Sequence, residues 1–166
     1  LAKNINCNIE GIAIASTGVI GEFLEESSIV KAIETIDLRM PTSTWIDAAK
    51  SIMTTDTFPK VASKLCKIDN CEIIINGIAK GSGMIAPDMA TMLSFMFTNA
   101  NITHSLLQEI LRETTNISFN AITVDGDTST SDTFLAFSSN KADHRLVEDI
   151  NDPLIQDFIN SFKEVA

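Results

Sequence analysis

The spacing of apolar residues changes several times along this chain, and each change predicts an element. Ile9 to Ala15 is a short apolar run broken by a glycine, which predicts a buried strand. The turn-prone residues Ser16-Thr17-Gly18-Val19-Ile20-Gly21 follow it. From Ser28 to Ile36 the apolar positions Ile29, Val30, Ala32, Ile33 and Ile36 fall at helical spacing, with Ser27 or Ser28 as N-cap. Pro41-Thr42-Ser43-Thr44 closes that unit and caps a second helix, Trp45 to Met53, before a polar loop from Thr54 to Lys60. Cys71 to Ala79 carries Ile73-Ile74-Ile75, a β-branched run suited to a central strand. Met92 to Phe97 reads as a further buried strand.

The second half continues in the same manner. Thr103 to Arg112 is an amphipathic helix with Thr103 as N-cap and Leu106, Leu107, Ile110 and Leu111 on one face. Phe119 to Val124 is strand-like, and so is Thr133 to Phe137, with a loop dense in hydroxyls and carboxylates between them. Asp149 to Phe162 predicts a helix with Pro153 in its first turn and Leu154, Ile155, Phe158, Ile159 and Phe162 turned inward. Strands and helices intermix, so the expected class is α/β or α+β in layers.

Composition narrows the functions. The chain has 166 residues, 45% apolar and 20% charged, which suits one folded domain rather than a disordered segment. A formal net charge of −10 argues against nucleic acid as a partner, since phosphate binding needs clustered lysine and arginine. No apolar run approaches the roughly 20 residues of a membrane span, so a membrane partner is not expected either. Cys7, Cys66 and Cys71 form no CxxC pair, so reduced thiols and a cytoplasmic-type compartment are expected. Leu1 to Asn6 lacks signal-peptide architecture and a starting Met, so the chain is expected to begin inside a longer one.

The chemistry concentrates between Gly77 and Leu93. There a glycine-rich, lysine-bearing loop (Gly77-Ile-Ala-Lys80-Gly81-Ser-Gly83) runs into Pro87-Asp88-Met89-Ala90 and then Thr91. On its own, Thr91 is a residue opening a strand. In this setting a strained peptide at Ala90-Thr91 would let its hydroxyl attack the Ala90 carbonyl, and hydrolysis of the resulting ester would free its α-amine. Such an amine has a pKa of about 7.7–8.0 and serves as general base to its own hydroxyl. Lys80 reads either as a solvated surface lysine or as a group that holds a carboxylate or lowers the pKa of a neighbouring amine. Thr17-Gly18 is by motif strength a turn; as a pair, a hydroxyl and a closely approaching glycine N–H suit an oxyanion. Asp125, Asp127 and Asp132 do not have the spacing of a calcium loop, and no metal is expected. His104 and His144 are expected at the surface, and Trp45 as a core anchor.

Four segments, in order, resemble one family. Ser16 to Glu22 looks like its oxyanion segment, and Ile52 to Lys60 like its substrate loop. Gly77 to Leu93 looks like its cleavage segment, and Ser118 to Thr130 like its acidic loop. The family is the ornithine acetyltransferase/glutamate N-acetyltransferase (ArgJ) family, and the likeness runs through most of the chain. It implies an α/β/β/α sandwich whose chain cuts itself at Ala90-Thr91, giving residues 1–90 as the end of an α chain and 91–166 as the start of a β chain. It implies transfer of an acetyl group from N2-acetylornithine to glutamate through an acetyl-threonine, in arginine biosynthesis. Some members also use acetyl-CoA, as an acetyl-donor substrate; no cofactor is implied. Carried over, Thr91 is the nucleophile, Thr17 and Gly18 form the oxyanion hole, and Thr54, Lys80 and Thr91 contact substrate. The α and β chains would stay together and assemble as αβ units into a higher homo-oligomer, in the cytoplasm or, in a fungal-type source, in mitochondria.

Some positions depart from the family pattern. Glu22-Phe23-Leu24-Glu25 stands where Glu-Pro-Leu-Pro is usual, and Asp88 where asparagine is common. Family chains are also roughly twice this long or more, so the chain is expected to be an excerpt lacking part of the site. Two other readings remain open at this point: an aminopeptidase-like hydrolase of similar fold, with water as acyl acceptor, and an inactive relative or fragment.

Overall fold

A computed structural model of the chain describes residues 1–18, 21–35, 43–82, 92–122, 129 and 131–166. Among these, four strands form one mixed sheet in the order β1-β2-β3-β4: β1 Lys60–Ile68, β2 Cys71–Lys80, β3 Leu93–Thr98 and β4 Thr133–Ser138. The helices are α1 Ala2–Ile5, α2 Glu26–Thr35, α3 Trp45–Ser51, α4 His104–Ile117 and α5 Gln156–Val165. The class is mixed α/β, as the alternation of patterns predicts.

Local chemistry explains how the strands are joined. β1 and β2 are antiparallel and meet at a two-residue turn, Asp69-Asn70, where Asp69 adopts φ 56°. Aspartate and asparagine tolerate that left-handed conformation better than other side chains do. β2 pairs antiparallel with β3, so Lys80 stands opposite Leu93. β3 and β4 are parallel, which requires a crossover; α4 lies within it.

Strand alternation divides the sheet into two faces. One carries Cys66, Ile68, Ile73, Ile75 and Met96 into a core completed by Leu106 and Ile110 of α4 and by Phe158, Ile159 and Phe162 of α5. Gly77 lets α5 approach: a Cβ there would lie 2.8 Å from Val165 Cγ1. The other face is also apolar but only partly covered. Leu65 sits opposite Ile74, and Phe97 opposite Phe137. The Phe97 ring lies 5.0 Å from that of Trp45 and 5.4 Å from that of Phe137. Leu65, Ile74 and Phe137 are exposed.

Several expectations are corrected. Ile9 to Ala15 is not a strand: Ile9–Gly11 is a 3-10 turn capped by the Asn8 side chain, and residues 12–18 are not part of the sheet. Its apolar run has no pairing partner in the sheet, and Ile14 stays exposed. Phe119–Ala121 is likewise a 3-10 turn. Asn120 donates back to Asn116, and Phe119 meets Phe134 edge to face; the rest of that predicted strand, Thr123 and Val124, lies outside the described residues. Helix α2 begins at Glu26, ahead of its expected serine caps.

The predicted helix from Asp149 starts late. The Asp149 and Asp152 carboxylates accept from the backbone N–H groups of Asn151 and Leu154, and those bonds favour turns. A 3-10 turn, Pro153–Ile155, precedes α5. Trp45 is 40% exposed and so does not anchor the core. His144 is buried: its Nε2 accepts from the Asn101 N–H at 3.0 Å. The caps Thr44 and Thr103 are as predicted, Thr44 in a full capping box with Asp47. Helix α4 runs five residues beyond Arg112, to Ile117.

Candidate functional site

The site forms where β2 ends. Strand alternation turns Lys80 away from the α4–α5 core, and the side chain is nevertheless 1% exposed. An ammonium removed from water needs acceptors. Lys80 Nζ donates to Thr17 Oγ1 at 3.0 Å and to Thr54 Oγ1 at 3.3 Å. Residues from an N-terminal loop, the loop after α3 and the end of β2 thereby converge on one amine. Burial pulls the Lys80 pKa below its ordinary value, and the negative charge of Asp56 opposes that shift.

Asp56 holds the frame together. Its carboxylate accepts the Gly81 N–H at 2.8 Å and an ion-paired hydrogen bond from Lys60 Nζ, and the Thr54 N–H lies 3.4 Å away. The side chain is wholly buried. Burial works to raise its pKa, but the hydrogen bonds from Lys60, Gly81 and Thr54 outweigh it and hold the carboxyl below its usual range. Lys60 also lies over the Phe58 ring, 5.0 Å from its centroid. A further tie joins Thr55 Oγ1 to Ser82 Oγ at 2.7 Å.

Beyond Lys80 the backbone needs glycine. Gly81 has φ 141°, a region that side chains rarely adopt, and a Cβ on it would stand 3.4 Å from Met92 Cα. Met92 is the last described residue before β3. Its N–H donates to Asp132 Oδ1 at 3.0 Å and its carbonyl accepts from the Thr133 N–H at 3.0 Å. The start of β3 is thus held by the start of β4 on one side and lies against Gly81 on the other.

Of the residues singled out in the sequence, Thr17, Thr54 and Lys80 come together. Gly18 follows Thr17, is exposed, and has only Leu24 Cδ2 near a notional Cβ, at 3.6 Å. Ala90 and Thr91 lie outside the described residues, as do Gly83 and Asp125 to Asp127. Lys80 is buried rather than the solvated surface lysine it resembles. The sequence marks out neither Asp56 nor Lys60, and Asp132 only as a rejected metal ligand. In the sequence Asp56 is one carboxylate in a polar Thr-rich loop, and only long-range pairing with Gly81 marks it out.

Other features of the molecule are distinct from this cluster. Burial pushes the Cys66 thiol up to about 11, so it is neutral and a poor nucleophile. A cleft of about 380 Å3 runs across Gly77, Ala79 and Met96 towards Phe119 and Val165, and none of Thr17, Thr54 or Lys80 lines it. Among the described residues, no group of three or more His, Cys, Asp or Glu side chains is placed to hold a metal ion. No helix of the described residues is long and apolar enough to cross a membrane.

A mixed α/β domain with a buried, hydroxyl-solvated lysine beside the close approach of Gly81 to Met92 defines a candidate binding site for an anionic group. Comparison with known proteins gives it a family. The ArgJ family model matches residues 1–166, and the chain belongs to that family. It is 49% identical over 167 residues to the arginine biosynthesis bifunctional protein ArgJ of Nitrobacter winogradskyi, covering 99% of this chain and 40% of that protein. It is 46% identical over 157 residues to the protein of the same name from Gluconobacter oxydans, covering 95% and 37%. With that of Bartonella quintana the identity is 55% over 130 residues, covering 78% and 32%. The chain therefore spans about two fifths or less of the curated relatives it matches.

Proposed function

We propose that this chain is the central part of an acetyltransferase that cuts itself at Ala90-Thr91 and then uses Thr91 as its nucleophile. In the first stage the Thr91 hydroxyl attacks the Ala90 carbonyl carbon. The peptide C–N bond breaks, its nitrogen takes up a proton, and an ester links Ala90 to Thr91 Oγ. Water hydrolyses the ester, leaving a carboxylate on Ala90 and a free amine and hydroxyl on Thr91. In the second stage that amine takes the hydroxyl proton as Thr91 Oγ attacks the acetyl carbonyl of N2-acetylornithine. The acetyl C–N bond breaks, ornithine leaves with a protonated amine, and acetyl-threonine remains. The amine of glutamate then attacks this ester and regenerates the hydroxyl. Acetyl-CoA is an alternative acetyl donor in this scheme, and the two chains from one precursor stay associated as αβ units of a larger homo-oligomer.

The observation that carries this reading is the convergence of Thr17, Thr54 and Lys80, with Lys80 Nζ at 3.0 and 3.3 Å from the two hydroxyls. The family resemblance assigns all three to one site, and they lie 63 and 26 residues apart in sequence. Lys80 also pairs with Leu93, two positions after Thr91. In this scheme the Lys80 ammonium holds the carboxylate of the amino-acid substrate, while the Thr17 hydroxyl and the Gly18 N–H stabilise the oxyanion. A second sheet packed on the apolar face of Leu65, Ile74 and Phe137 would complete an α/β/β/α sandwich.

The test is the intact mass of the purified full-length protein before and after brief incubation with N2-acetylornithine. The expected result is two fragments meeting at Ala90/Thr91, with an acetyl increment on the one that begins at Thr91. A single uncut chain with no adduct would overturn the proposal. Cleavage with acetyl passing to water but not to glutamate would point to a hydrolase instead.

A further inference from the structure

We infer that Asp132 is a positioning residue for the self-cleavage step, which fixes the backbone directly after the cleavage junction by accepting the Met92 N–H. The inference rests on the reading of Ala90-Thr91 as the cut bond. The geometry is the 3.0 Å hydrogen bond from Met92 N–H to Asp132 Oδ1. A peptide unit is planar and includes the Cα atoms on both sides of it. The N–H of Met92 belongs to the unit that joins residue 91 to residue 92, so holding that N–H orients the plane on which the Thr91 Cα lies.

The neighbours of Met92 make the hold directional. Its carbonyl accepts from the Thr133 N–H at 3.0 Å, so both of its backbone polar groups are bound to consecutive residues, 132 and 133. From the other side Gly81, at φ 141°, lies against its Cα, with 3.4 Å left for a notional Cβ. Asp56 in turn holds the Gly81 N–H at 2.8 Å. A carboxylate thus fixes each of the two backbones that meet just beyond the junction. Nucleophilic attack by a hydroxyl on the preceding carbonyl is sensitive to small misplacement, so loss of one anchor slows it. Asp132 itself is exposed, so its replacement removes the hydrogen bond without opening a cavity.

The experiment follows the cut fraction over time by intact mass for the full-length wild type, Asp132→Ala and Asp132→Asn, with a thermal melt of each. Asparagine keeps a carbonyl oxygen where the carboxylate oxygen accepts. The expected result is cleavage slowed at least tenfold in Asp132→Ala, near wild-type cleavage in Asp132→Asn, and melting within a degree or two for all three. Wild-type cleavage in Asp132→Ala overturns the role of Asp132 and leaves the acetyltransferase reading standing. So does equal slowing in both variants, or an Asp132→Ala protein that melts far below wild type, since a general structural role then accounts for the loss. An uncut wild type overturns the self-cleavage reading and the role of Asp132 with it.

Discussion

At the scale of single residues, Lys80 and Asp56 form a site in which charge is managed indirectly. Among the described residues Lys80 donates to two hydroxyls rather than to a carboxylate, while Asp56 is tied to Lys60 and to backbone. A substrate carboxylate would complete the set. Burial holds the Lys80 pKa below 10.5, its unperturbed value, with Asp56 pulling it back upward. The sign is then fixed for binding: the affinity that depends on the Lys80 charge is lost as pH rises through a value lower than that of a free lysine. Under the proposed acetyltransferase activity, Asp56→Asn removes the opposing charge, so the rise in KM for N2-acetylornithine would move to still lower pH, while the Gly81 N–H keeps an oxygen acceptor. A KM profile that does not shift towards acid would sink this account. For stability the two groups act at opposite ends. The Asp56 contribution is fully present above its unfolded value, near 3.8, and is lost as pH falls through the lower folded value. Lys80 binds fewer protons when folded than when unfolded between its lowered value and 10.5, so stability rises with pH across that window. Much of this site was legible as residue types, since Thr17, Thr54 and Lys80 stand in recognisable segments. The burial of Lys80 and the part played by Asp56 were not, because both depend on contacts between residues distant in sequence.

At the scale of elements, periodicity and caps predicted most of what pairs and packs. The Thr44 and Thr103 caps and the strands β2, β3 and β4 follow from local chemistry, with bounds within a residue. Strand β1 had no such signature. Lys60, Lys64 and Lys67 interrupt its apolar alternation, as suits a strand that pairs on one side only among the described residues. The failed strands, at Ile9 and Phe119, share a cause: an apolar run favours extension, but only a partner makes a strand, and local hydrogen bonds close each into a turn, through the Asn8 side chain at the first and backbone carbonyls of Ser118 and Phe119 at the second. Within β2 the glycine at 77 has a definite task. A Cβ there would meet Val165 Cγ1 at 2.8 Å, so Gly77→Val must displace the Val165 side chain at the end of α5. Overpacking of this kind costs about 1–3 kcal/mol, which chemical denaturation of the full-length protein would show as a lower midpoint. An unchanged midpoint would mean that α5 yields freely and that Gly77 is not a packing requirement.

At the scale of the whole molecule, the described residues cover one face of the sheet fully and the other only in part. The core side gathers α4 and α5 over Ile73, Ile75 and Met96. The opposite side leaves Ile74 at 41% exposure and Leu65 at 59%, directly across from each other. Adjacent β-branched and aliphatic residues on β1, at the sheet edge, and its neighbour β2 favour a covered surface, since exposed apolar patches tend to mark contacts. The chain spans only about 40% of its Nitrobacter relative, and the sandwich proposed above would place a second sheet over this face. Ile74→Thr discriminates between the two conditions because threonine retains the branched Cβ and the strand preference. On an open face the substitution changes stability by no more than about 0.5 kcal/mol. Under a second sheet it removes apolar burial and introduces a hydroxyl, at a cost of about 2 kcal/mol or more. The expected outcome in the full-length protein is the larger loss, read from its denaturation midpoint. Ile74→Thr melting with the wild type would leave this face open to solvent and remove the physical support for a four-layer fold.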